Sequence, residues 1–74
     1  MQTQSVLVVD DEPDMRIALT HALGRSGYSV ETASNGFEGL EMLEEFQPDI
    51  CLVDLKMPGL SGYEVLDKIH GFLY

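Results

Sequence analysis

The 74-residue sequence has no tryptophan, one cysteine, and 4 basic residues against 13 acidic ones. A lone thiol, Cys51, excludes an internal disulfide, and no Cys or His stands near it at metal-site spacing. Within an apolar run it reads as a small core residue. The shortage of Lys and Arg, with a formal net charge of -9, opposes direct nucleic-acid binding, because that binding rests on cations neutralising phosphates. No apolar run approaches the ~20 residues a spanning helix needs. The N-terminus lacks the basic, apolar and small-residue order of a secretory leader. A cytoplasmic protein without a membrane partner is therefore expected.

What is present reads as one small folded unit. The hydrophobic share is 45% and the charged share 23%, ordinary values for a globular chain. Strand-like and helix-like pieces alternate with short connections, the signature of an α/β protein with a parallel sheet. Val6–Val9 is an apolar, β-branched run of the kind buried on both faces. It gives way to Asp10-Asp11-Glu12-Pro13, where Pro13 suits the first turn of a helix and the acids complement its dipole. Met15, Ala18, Leu19, Ala22 and Leu23 supply that helix with an apolar face, and Gly27 is positioned to end it in a left-handed conformation. Tyr28 to Ala33 reads as a second, less apolar strand nearer an edge.

Asn35-Gly36 marks a turn, after which Phe37, Leu40 and Leu43 form the stripe of a second helix, with Glu38, Glu41, Glu44 and Glu45 mostly outward. Gln47-Pro48-Asp49 breaks it. Ile50–Val53 reads as a third strand of the fully buried type and leads into Asp54. Leu55 to Leu60 is a loop, and Ser61-Gly62-Tyr63-Glu64 has the form of a capping box that opens a third helix, ended by Gly71.

Two of these strands end in acid, with Asp10-Asp11 after the first and Asp54 after the third. Right-handed crossovers bring the carboxyl ends of parallel strands to one edge, where ligands of open α/β sheets bind. If the two strands are neighbours, the carboxylates converge and repel unless a cation joins them or some are protonated. Oxygen ligands alone suit a hard divalent ion, and Mg²⁺ best, since it accepts one or two carboxylates and keeps several waters. A carboxylate beside Mg²⁺ can also attack phosphorus. Taken singly, the Asp-Asp pair could equally be a helix cap. His21, His70, Met15, Met42, Met57 and Tyr63 read as surface or packing residues.

The stretches Val6-Leu-Val-Val-Asp-Asp-Glu-Pro13 and Val53-Asp-Leu-Lys-Met-Pro-Gly-Leu-Ser-Gly62 together resemble the receiver domain of two-component response regulators. Gly27-Tyr28 and Asn35-Gly36 fall at matching places, and the resemblance extends over residues 4 to 70. It implies a doubly wound, flavodoxin-like parallel sheet with strand order 2-1-3 and three helices. It implies that Asp54 accepts a phosphoryl group from a sensor histidine kinase. Asp11 would ligate Mg²⁺ directly, Asp10 largely through water, and Lys56 through its backbone carbonyl. An acid phosphatase of the haloacid dehalogenase type fits poorly, because it needs a second Asp where Lys56 stands.

A complete receiver has two further strand–helix units, which carry a Ser or Thr and a Lys that contact the phosphoryl oxygens. No residue of this sequence matches either, so residues 1–74 are expected to form a truncated receiver domain. The expected consequences are impaired phosphorylation and self-association, through Ile50 to Val53 or through uncovered helix faces. The alternative function is a fragment that acts only in self-association or partner binding. Gly71-Phe72-Leu73-Tyr74 is assigned no role.

Overall fold

A computed structural model describes residues 3–54, which form the order β1 (Ser5–Val9), α1 (Pro13–Arg25), β2 (Ser29–Ala33), α2 (Gly36–Phe46) and β3 (Ile50–Val53). The expected third helix, Met57, Tyr63, His70 and the backbone of Lys56 lie outside the described residues. The three strands make one parallel sheet in the order β2-β1-β3, as the doubly wound reading requires. β2, the least apolar strand, is at an edge.

β1 is central because its sequence can be buried on both sides. Val6, Leu7, Val8 and Val9 are all buried. Leu7 and Val9, with Ala33, form a core against which Leu40, Met42 and Leu43 of α2 and Cys51 and Val53 of β3 pack. Val6 and Val8 point to the opposite face, since side chains alternate along a strand. There, Met15 and Leu19 of α1 line a cleft with Val8 and Leu52.

Local chemistry sets where each helix ends. Gly27 takes φ +94°, and its N–H bonds to the Gly24 carbonyl while that of Tyr28 bonds to the Leu23 carbonyl, each at 3.1 Å. This pair of bonds is a Schellman motif, the function expected of Gly27. Asn35 is the N-cap of α2, its Oδ1 accepting the Glu38 N–H at 2.8 Å. Glu38 returns its carboxylate to the N–H and hydroxyl of Ser34, both at 3.2 Å. Thus Asn35-Gly36 starts the helix, and Glu38 is a capping residue as well as an exposed acid. At the other end Gln47 adopts the left-handed region, φ 49°, and its N–H bonds to the Leu43 carbonyl.

Three packing expectations need correction. Helical spacing puts Phe37 in the apolar stripe of α2, but it is 63% exposed, and Gly36 and Gly39 are buried instead. The helix approaches β1 so closely at Gly39 that glycine, not an aromatic ring, faces the sheet. On α1 no residue is fully buried, and Met15 is 45% exposed. β3 is paired only with β1 among the described residues, and its Ile50 and Leu52 are exposed although the run reads as fully buried. Val6↔Ile50 and Val8↔Leu52 register puts those two side chains on the α1 face, and α1 lies over β1 and β2 rather than β3.

Candidate functional site

Register brings the acidic residues together. Val9 lies opposite Val53, and each is followed by an aspartate. The Asp54 N–H donates to the Val9 carbonyl at 2.9 Å, and the Asp10 N–H donates to the Ala33 carbonyl at 3.1 Å. Both ladders of the sheet are thereby extended one residue beyond the strands, which fixes the backbones of Asp10 and Asp54 side by side. The expected meeting of Asp10, Asp11 and Asp54 is present: a carboxylate oxygen from each lies within 4.8 Å of the others. Asp10 and Asp54 are half-buried, and Asp11 is exposed.

The pair Asp10-Asp11 does not cap α1. Glu12 holds the N-cap position without a side-chain bond, and Asp10 folds back on the chain, its Oδ1 accepting the Glu12 N–H at 2.9 Å. This Asx turn ties Oδ1 of Asp10 to the backbone that follows it. The cluster therefore offers hard oxygen donors without nitrogen or sulfur, a set that suits Mg²⁺ or a similar hard cation. Carboxylates this close repel one another unless positive charge is brought among them.

Next to the cluster is an open cleft of about 570 Å³, lined by Asp10, Glu12 and Asp54 together with Val8, Met15, Leu19 and Leu52. Cys51, on the opposite face of β3 from Leu52, is half-buried, and burial pushes its thiol up from 9.0 to about 11. That is the inert apolar behaviour expected of it, not that of an activated nucleophile. His21 is exposed on α1.

Sequence reasoning missed Arg16. Its Nη1 donates to the Asp10 backbone carbonyl at 2.7 Å in a half-buried position. A signal existed: Arg16 is the fourth residue of α1, where the helix macrodipole disfavours a cation, so a specific partner should offset the penalty. Asp49, read only as a helix breaker, ties the starts of β1 and β3. Its Oδ2 accepts from the N–H and hydroxyl of Ser5 at 2.8 and 3.2 Å, and its N–H donates to the Ser5 carbonyl at 3.0 Å. Among the described residues, no helix is long and apolar enough to cross a membrane.

Residues 6–72 match the family described as response regulator receiver domain. The chain is 35% identical over 69 residues to sporulation initiation phosphotransferase F of Bacillus subtilis, covering 93% of this chain and 56% of that protein. It superposes on response regulator protein TrrA from Thermotoga maritima in complex with Mg(2+)-BeF with a TM-score of 0.91 and 40% identity, covering 95% of this chain and 61% of that one. A second structure, of TrrA in complex with the histidine kinase ThkA, gives a TM-score of 0.88 at 40% identity, covering 93% and 60% of the respective chains. The chain thus spans somewhat more than half the length of these relatives.

Proposed function

The chain belongs to the response regulator receiver domain family, and from that premise we propose that it is a phosphoacceptor module with Asp54 as the acceptor. The observation that carries this reading is the convergence of Asp10, Asp11 and Asp54 within 4.8 Å at the carboxyl end of a parallel sheet. The phosphoryl donor is a phosphohistidine on a sensor histidine kinase, a partner in keeping with the ThkA–TrrA complex. Residues 1–74 span the part of a receiver domain that carries the acidic cluster, somewhat more than half the length of the relatives they match. The module works in the cytoplasm and is its own substrate rather than a turnover enzyme.

A carboxylate oxygen of Asp54 attacks phosphorus in line with the P–N bond of the donor. A P–O bond forms on Asp54, the P–N bond breaks, and its electron pair remains on the imidazole nitrogen. The product is an aspartyl phosphate. Asp10, Asp11 and Asp54 would hold Mg²⁺, joined, as the family resemblance implies, by the backbone carbonyl of Lys56. When bound, Mg²⁺ supplies positive charge that offsets the carboxylates and the phosphoryl oxygens. The chain's own part is positional: the Val9–Asp54 and Ala33–Asp10 bonds hold the two acids at the sheet edge, and the Asx turn ties the Asp10 carboxylate to the Glu12 N–H.

A second reading is favoured by the exposure of Ile50 and Leu52, at 36% and 40%. On this reading the chain self-associates through β3 and the α1 face and accepts no phosphate. Intact mass after incubation with Mg²⁺ and a small phosphodonor separates the two. Phosphoacceptor function predicts one phosphoryl adduct, lost when Mg²⁺ is chelated and lost in Asp54→Ala. A folded sample without an adduct would rule the phosphoacceptor reading out and leave self-association standing.

A further inference from the structure

We infer that Arg16 is a positioning residue for the acidic cluster, holding the Asp10–Glu12 span so that Asp11 meets Asp10 and Asp54; this rests on reading the cluster as the Mg²⁺ site. Asp11 is exposed, and its neighbours on both sides are bound to Arg16. The guanidinium of Arg16 donates to the Asp10 carbonyl at 2.7 Å, and its backbone N–H donates to the Glu12 carbonyl at 3.1 Å. The second of these is the first-turn bond of the helix, which any residue but proline would make at this place, so what the Arg16 side chain adds is the bond to Asp10. The Asp10 carbonyl lies past the last residue of β1, beyond the ladder, so the helix supplies what the sheet does not.

The guanidinium could influence the cluster in two opposed ways. Its charge competes with a divalent cation for the same carboxylates, so deleting it would tighten Mg²⁺. Its bond to Asp10 pre-forms the span, so deleting it would loosen Mg²⁺. The geometry favours the second effect, because the guanidinium is directed at a backbone carbonyl. Groups that orient metal ligands in this way change metal affinity by about 10–100-fold when removed.

The experiment compares the 74-residue wild type with Arg16→Met and Arg16→Lys, all shown folded by circular dichroism, and reads Mg²⁺ affinity by calorimetry. Hydrogen exchange of the Asp11 and Glu12 amides is measured without metal. Arg16→Met should weaken Mg²⁺ by about tenfold and speed exchange at those amides more than in β1. Lys keeps charge and donor, and should recover most of the affinity. Should Arg16→Met not fold, Arg16→Gln, which is too short to span the same distance, takes its place with the same expectation. Equal affinity in wild type and variant, or tighter binding in the variant, overturns the inference and leaves the site reading intact. A wild type with no Mg²⁺ affinity overturns both.

Discussion

Gly39 is a position where the fold is sensitive to a single methyl group. A Cβ built there would lie 2.9 and 3.0 Å from the two γ-methyls of Val9 and 3.6 Å from its Cβ. Val9 is fully buried and β-branched, so neither methyl can swing aside without driving the other into a neighbour. Gly39→Ala gains about 1 kcal/mol of helix propensity. Overpacking a well-filled core costs about 1–3 kcal/mol. The contact meets both γ-methyls, which puts the penalty toward the upper part of that range, and the variant should lose about 1–2 kcal/mol net. Val9→Ala alone should cost about 2 kcal/mol, by analogy with other buried methyl deletions.

Combined, the two changes should compensate, because the methyl added at position 39 enters space that the Val9 side chain has left. Urea denaturation followed by circular dichroism, on all four corners of the cycle, would read a favourable coupling of about 1–2 kcal/mol. Additivity within about 0.5 kcal/mol, or a Gly39→Ala protein more stable than wild type, would refute the argument. Either result would mean that α2 sits farther from β1 than these distances say.

Two further changes test the local chemistry. Asn35→Ala removes the acceptor for the Glu38 N–H and should destabilise the protein by about 1 kcal/mol in urea titrations, while Asn35→Ser should lose much less. Cys51 is held neutral by burial, its pKa rising from 9.0 to about 11. With the folded value above the unfolded one, its contribution to stability is complete below pH 9 and is lost as pH rises through about 11. The urea midpoint of wild type should therefore fall more steeply above about pH 9 than that of Cys51→Val; parallel profiles would count against burial as the cause.

Much of the fold was legible in the residues because it is written in local patterns. Val6–Val9 announces a strand covered on both faces, Gly27 a helix end, and the relative polarity of β2 its place at the edge. The acidic cluster was legible for a topological reason: parallel strands that are neighbours must end at the same edge. Positions that depend on how closely two elements approach were not legible. Phe37 is itself a stripe position and Gly39 stands one residue before another, Leu40, and helical periodicity alone cannot say which one the sheet admits. The rotation of α2 follows from the fit of Gly39 on Val9, a tertiary fact. Arg16 and Asp49 were missed for a related reason. Arg16 bonds to a backbone carbonyl and Asp49 to the backbone of Ser5 as well as its hydroxyl, and backbone groups carry no residue identity for a pattern to match.

The two functional readings share a structural element and are therefore not independent. Leu52, exposed on the α1 face of β3, lines the same cleft as Asp10 and Asp54. Any chain that covers Leu52 thus reaches a cleft that the acids also line. β3 has the composition of a strand covered on both faces, yet among the described residues α1 packs on β1 and β2, so the exposed Leu52 beside the acids would gain from cover. Cover there would exclude water from one side of the carboxylates, and a drier setting strengthens both their mutual repulsion and their attraction for a cation. Association through β3 and Mg²⁺ binding at the cluster should then reinforce one another, each raising the apparent affinity of the other by the same factor.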